Sequence, residues 1–250
     1  MTGIVTLPLV PLRISNSEQS EMTSQLLFGE QVEIIDTRER WLLVRNLNDS
    51  FTGWVDRKMI TPLTEHETVK NITPQRVSVP LFICKNSANE TFYIPGGSLI
   101  PHWSIGKEVF STESEPEYFS EPIDGDKLCE LAKKYLNAPQ LNGGKTILGI
   151  DCSGLVQVAF SIGGILLPRE VSQQVEKGEV IDFLSEVKAG DLAFFENSEG
   201  KIVHVGIMLN SHQIIHTFGH VKIETIDYQG IISSQNGEYT HKLRVIKRLL

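Results

Sequence analysis

The stretch from Gly149 to Gly164, GIDCSGLVQVAFSIGG, constrains the chain more than any other. Asp151 is a residue type that caps helix N-termini, and Leu155, Val158, Ala159 and Ile162 recur at the spacing of one helix face. Gly163 and Gly164 stop the pattern. A helix is therefore predicted that buries an apolar stripe and begins at Cys152. A cysteine kept for packing belongs in the middle of such a stripe, as Cys129 sits beside Leu128 and Leu131. At a first turn, free amide hydrogens and the positive end of the dipole favour a thiolate and can hold an oxyanion. Cys152 is predicted to be a nucleophile with a lowered pKa.

The patterns on either side set the architecture. Residues 1–63 are cut by turn residues into short alternating runs, with Val32 and Ile34, then Trp41 and Leu43, as inward positions. Short strands at this spacing predict a small all-β barrel. Residues 64–122 blur. RVSVPLFICK and TFYIPGGSLIP read as strands, with Cys84 in a core, and STESEPEYFSEP as a polar surface stretch. A second, degenerate unit of the same kind is expected there in preference to a plain linker. Residues 123–250 change character: DGDKLCELAKKYLNA has helical spacing, and a glycine-rich loop leads to the capped helix. AGDLAFF, KIVHVGIML, HQIIHTFG and HKLRVIKRLL then read as consecutive antiparallel strands. Helices followed by a strand meander make an α+β fold.

A nucleophilic thiol needs a base. His204 alternates with Val203 and Val205 on one predicted strand, and His216 lies on the next. For both imidazoles to share a face of an unbulged hairpin, the loop must hold an odd number of residues. Asn210-Ser211-His212 supplies three. Nucleophile, base and orienter are thus Cys152, His204 and His216. His212, His216 and His220 stand four apart, as metal ligands do on a helix, but the surroundings are strand-like. No metal and no cofactor is expected.

The balance of 31 acidic against 23 basic residues, a formal charge of −8, argues against nucleic acid and anionic membrane surfaces as partners. Three cysteines without a C-x-x-C pair do not make a disulfide framework. No run approaches the roughly 18 apolar residues of a membrane span. The opening residues lack the features of a secretory signal. A cytoplasmic monomer is expected, or a periplasmic or exported one if a leader has been removed.

GIDCSGLVQ, GDLAFF, HVGIML and IIHTFG, in this order, together with LPREVSQQ, resemble the NlpC/P60 cysteine peptidases. The resemblance implies a papain-like domain, a helix packed on an antiparallel sheet, in which Cys152 attacks, His204 is the base and His216 orients it. SEMTSQLLFGEQVEII and SFTGWV are similar to the bacterial SH3-like domains that precede such peptidases. The combination resembles the γ-D-glutamyl-L-diamino acid endopeptidases, which cut murein peptides that have a free N-terminal L-alanine. It implies that Asp151 and Ser153 hold the substrate's ammonium with an acid from the barrel, Glu21 or its rival Glu30. Phe51 stands where relatives carry a substrate-binding tyrosine, and Gln140 and Asn142 where they carry aromatic residues. The alternatives are another thiol amidase or acyltransferase on the same fold, or a wall-binding protein without catalysis.

Overall fold

Turn residues divide the first 63 residues into seven strands: β1 (Thr2–Ile4), β2 (Leu9–Arg13), β3 (Met22–Leu27), β4 (Gln31–Arg38), β5 (Trp41–Asn46), β6 (Thr52–Asp56) and β7 (Thr61–Leu63). The computed structural model describes residues 1–63, 72–120 and 123–250; residues 64–71 and 121–122, at the ends of the expected middle segment, lie outside the described residues. The seven strands form one antiparallel sheet in the order β3-β2-β6-β5-β4-β1-β7. It encloses a core of Val10, Leu12, Leu26, Val32, Leu42, Val44 and Val55. On β5 the inward residues are Leu42 and Val44, one position off the expected Trp41 and Leu43. Trp41 is buried all the same, because the Arg40 guanidinium covers its ring from 5.2 Å.

The middle segment adds two hairpins, β8 (Leu81–Lys85) with β9 (Thr91–Pro95), and β10 (Ser104–Ile105) with β11 (Glu108–Val109). Their shared core takes in Ile4 and Phe28 from the first barrel. Phe28 lies 5.0 Å from Trp103 and 5.0 Å from Phe110, ring centre to ring centre. Cys84 is fully buried in this cluster, as its strand pattern implied.

In the last part, α1 (Gly125–Lys133) begins at Asp124, whose carboxylate accepts the Lys127 N–H. A short hairpin, β12 (Lys145–Thr146) and β13 (Gly149–Ile150), leads into α2 (Cys152–Ile162), followed by α3 (Val171–Gln174) and β14 (Glu179–Ile181). Six further strands complete the chain: β15 (Leu192–Glu196), β16 (Ile202–Asn210), β17 (Gln213–Phe218), β18 (His220–Ile226), β19 (Gly230–Ile232) and β20 (Tyr239–Arg248). The sheet runs β14-β20-β15-β16-β17-β18-β19, and β19 also pairs with β20, so six strands close on themselves. One face carries Phe194, Val205, Ile207 and Ile215 into a cluster with Leu128 of α1 and Leu155, Val158 and Phe160 of α2. The other face encloses Phe195, Met208, Ile214, Ile231 and Ile246.

Charges lock the three parts together. The buried carboxylate of Glu30 accepts the Leu27 N–H at 3.0 Å and the side-chain amides of Asn46 and Asn48. It also lies 3.8 Å from Arg76 of the middle segment and 3.7 Å from Lys145 of the last part, both buried. Asp49 accepts a hydrogen bond from Gln157 of α2 at 2.9 Å. Removing one member of such a set strands the others in a dry interior. Glu30→Ala is accordingly expected to cost about 3 kcal/mol, read as a lowered urea midpoint followed by tryptophan fluorescence. An unchanged midpoint would show that Arg76 and Lys145 do not depend on it.

Candidate active site

The capped start of α2 forms as the sequence implies. Asp151 is extended and its Oδ1 accepts the Gly154 N–H at 2.7 Å, leaving Cys152 at the first turn. The backbone amides of Ser153 and of Val205 on β16 act on the sulfur and favour its thiolate, and Val205 is the residue after His204. Cys152 and His204 line one cleft of about 320 Å³.

The two histidines share a face by a route other than the expected one. The hairpin closes with Asn210 opposite Gln213, a two-residue turn that alone would set them on opposite faces. A one-residue bulge between Met208 and Asn210 restores the parity, and Gly206 stands opposite His216. His204 Nε2 and His216 Nδ1 are 3.0 Å apart, with the pair buried.

Glu224, which sequence reasoning did not single out, ends the chain. Its side chain is fully buried, with Oε2 2.9 Å from His216 Nε2. Oε1 accepts from the Ser234 N–H at 3.0 Å and the Ser234 hydroxyl at 3.2 Å, with the Lys222 ammonium at 3.4 Å. Burial opposes its ionisation, yet those hydrogen bonds and charges together keep its pKa below the usual value. An ionised carboxylate accepts only, and this settles the tautomers. His216 donates from Nε2, so its Nδ1 accepts; His204 therefore donates from Nε2 and keeps Nδ1 bare for the thiol proton.

The resting thiol differs from expectation. Burial, and then the neighbouring Asp151 charge, push Cys152 up to about 11, and the Val205 and Ser153 amides and Arg169 do not offset them. Burial, then His241 and His216, hold His204 well below 6.5, and burial holds His216 down at about 4 despite Glu224. Taken singly, both groups favour their neutral forms.

Around this pair the structure gathers most of the expected residues. Glu21, Met22 and Thr23 of the barrel form one wall; Asn142, Gly143, Asp151 and Ser153 form another. Two expectations do not reach the cleft. Phe51 packs against the barrel core, its N–H held by Asp49 at 2.9 Å, and Glu30 is turned into the interface described above. Gln140, in place of an aromatic residue, pins the β17–β18 turn by accepting the Gly219 N–H at 2.7 Å.

Arg169 is a further residue that sequence reasoning missed. It is buried, donates to Asp151 Oδ2 and to the Ser153 hydroxyl at 2.6 Å each, and reaches Ser24 of the barrel at 3.1 Å. The acid expected to await an ammonium already has a cation. Thr217 lines the cleft with a buried hydroxyl that has no hydrogen-bond partner among the described residues. His241 stacks on His204, ring centres 4.0 Å apart. His204, His216 and His241 bring ring nitrogens within 4.8 Å of one another, a different trio from the one weighed in the sequence. Two of those nitrogens face each other in the His204–His216 hydrogen bond, so the set serves proton transfer as it stands.

Comparison with known proteins bears on the family and the fold. Residues 138–246 match the NlpC/P60 family, and residues 12–60 match the bacterial dipeptidyl-peptidase Sh3 domain. A murein DD-endopeptidase/LD-carboxypeptidase, MepS of Escherichia coli, is 38% identical over 145 residues, 56% of this chain and 72% of that protein. A γ-D-glutamyl-L-lysine dipeptidyl-peptidase of Bacillus cereus is 23% identical over 227 residues, 79% of this chain and 68% of that one. The crystal structure of an NlpC/P60 family protein from Bacillus cereus superposes with a TM-score of 0.79 at 16% identity, covering 99% of each chain.

Replacing Glu224 by Gln keeps the volume and removes the fixed acceptor, so His216 and His204 are free to reverse their tautomers. The expected outcome is a loss in kcat on the order of 100-fold with KM little changed. The wild-type acid limb of kcat/KM should lie below pH 6.5, because activity is lost only when pH falls through the depressed His204 pKa. Glu224→Gln should move that limb lower still, since the imidazolium loses its carboxylate. An acid limb above pH 6.5 in the wild type would contradict the depressed His204 pKa.

Proposed function

The chain belongs to the NlpC/P60 family of cysteine peptidases, and from that premise we propose that it hydrolyses the γ-D-glutamyl bond to the diamino acid in murein peptides whose N-terminal L-alanine is free. The reading places a papain-like arrangement, α2 against the sheet, at the centre of the chemistry. The observation that carries it is the buried run from Cys152 through His204 and His216 to Glu224, opening on a cleft with one wall built by the barrel. A wall-binding module without catalysis has no use for a fully buried carboxylate aligned behind two imidazoles.

In this reading Cys152 Sγ attacks the scissile carbonyl while its proton passes to His204 Nδ1. The amides at the start of α2 stabilise the oxyanion. The C–N bond breaks as His204 returns the proton to the departing nitrogen, leaving a thioester; water, deprotonated by the same nitrogen, then hydrolyses it. His216 orients His204, and Glu224 holds the imidazolium that forms.

Recognition of the substrate's amino end rests on charge and space. Asp151 is neutralised by Arg169, so Asp151 and Ser153 shape the pocket while Glu21, exposed at its edge, supplies the attraction for the ammonium. In this reading the barrel wall disfavours a glycan-linked nitrogen, so the substrates are released peptides and the role is recycling in the cytoplasm. The chain-wide likeness to a γ-D-glutamyl-L-lysine dipeptidyl-peptidase supports the bond assignment. Among the described residues no helix is long and apolar enough to cross a membrane.

A paired assay of L-Ala-γ-D-Glu-diamino acid and its N-acetyl form tests this. The free peptide is expected to be cut, with the acetylated one at least ~10-fold poorer in kcat/KM, since a charge-assisted contact is lost and bulk is added. Glu21→Gln should raise KM for the free peptide alone, and Cys152→Ala should abolish both reactions. Equal cleavage of the two peptides would point to a hydrolase of intact wall.

A further inference from the structure

Two cavities meet at Val203. One is the cleft around Cys152; the other, of about 740 Å³, lies at the rim of the closed sheet, with Glu196, Tyr228, Tyr239, His241 and Lys242 in its lining. The rings of His204 and His241 stack at 4.0 Å, one bordering each cavity. The second space is large enough for a peptide fragment.

The chemistry proposed above gives that space a role. As the C–N bond breaks, the electron pair goes to nitrogen and the proton comes from His204, so the departing fragment must lie against His204. The acyl part occupies the cleft on the side closed by Glu21, Met22 and Thr23. The second cavity is lined by His241, which stacks on His204, and by Val203, which also lines the cleft. We infer that it binds the leaving fragment, a diamino acid or a short peptide beginning with one, by its free carboxylate. This rests on the peptidase reading.

The lining fits a charged peptide end. Glu196 lies 2.6 Å from Lys242 and, behind the lining, 3.5 Å from Arg244, so the carboxylate has a second cation and does not depend on Lys242 alone. Lys242 is 72% exposed, so its ammonium, paired with Glu196, also faces the open cavity where an incoming carboxylate can reach it. Tyr228 is 75% exposed, with its hydroxyl accepting from Gln229, and the Tyr239 hydroxyl donates to Asp227 at 2.6 Å. Those bonds hold two aromatic surfaces at the rim where an aliphatic side chain can lie.

The test compares two substrates with the same acyl part. L-Ala-γ-D-Glu-diamino acid-D-Ala carries the leaving fragment and its carboxylate; L-Ala-γ-D-Glu aminocoumarin amide carries neither. For Lys242→Met, the ratio of kcat/KM for the tetrapeptide to that for the coumarin amide is expected to fall about tenfold. Amidation of the tetrapeptide's carboxylate should lower wild-type cleavage by a similar factor and remove the difference between wild type and variant. An unchanged ratio, or an amidated peptide still sensitive to Lys242→Met, overturns the inference. A wild type that cuts neither compound overturns the peptidase reading, and this inference with it.

Discussion

Four segments far apart in sequence converge on one ion pair, Asp151 with Arg169 at 2.6 Å. One carboxylate oxygen caps α2 through Gly154; the other holds the glycine-rich loop through the Gly143 N–H at 2.8 Å as well as the guanidinium. Arg169 passes the linkage on to Ser153 and to Ser24 of the barrel. A buried charge pair is tolerated when its remaining hydrogen-bonding capacity is met, and here both sides are well supplied. The pair therefore fixes where the nucleophile's helix begins, how the loop before it runs, and where the barrel sits. It also spends the negative charge of Asp151 inside the protein, leaving Glu21 as the exposed carboxylate at the cleft's edge.

A second buried carboxylate organises the chemistry by direction. Glu224 can only accept, and that one fact propagates through two imidazoles to leave Nδ1 bare on His204, which lines the same cleft as the thiol. The interior that makes this possible also raises the thiol and depresses both histidines. Helix-terminus reasoning foresaw a thiolate because it weighed amide dipoles without the desolvation of the sulfur.

What the sequence made legible was local. Asp151 capping α2, the glycine stop, and the alternation around His204 and His216 are all short-range patterns, and the structure reproduces them. Arg169 was hidden because its partners are 16, 18 and 145 residues away, and no periodicity links them. Glu224 was within reach. With His216 opposite Lys222 and Ile214 opposite Glu224, it shares the face of His216, and the parity argument applied to the first hairpin, carried one hairpin further, finds it. The inward side of β5 was misread by one residue, because Trp41 is covered by a guanidinium instead of by the core. Phe51 was placed by analogy of position, and position in a barrel loop does not say which side of the barrel wall a ring takes.

Gly143 shows how the two matched domains constrain each other. Its φ of +79° disfavours other residues, and a Cβ there would lie 2.5 Å from the Met22 carbonyl oxygen. That oxygen belongs to β3, whose Met22 and Thr23 wall the cleft. The glycine is required by the neighbouring barrel as much as by its own turn: any side chain would push the wall away from Cys152. The loop's departure from aromatic residues has the same logic. Gln140 ties the loop to the β17–β18 turn through Gly219, and Asn142 gives the cleft a polar edge. The loop is thereby held at both ends, by the sheet on one side and the barrel on the other. The width of the cleft is set by backbone contact between domains, which a change in side-chain chemistry at the rim cannot relax.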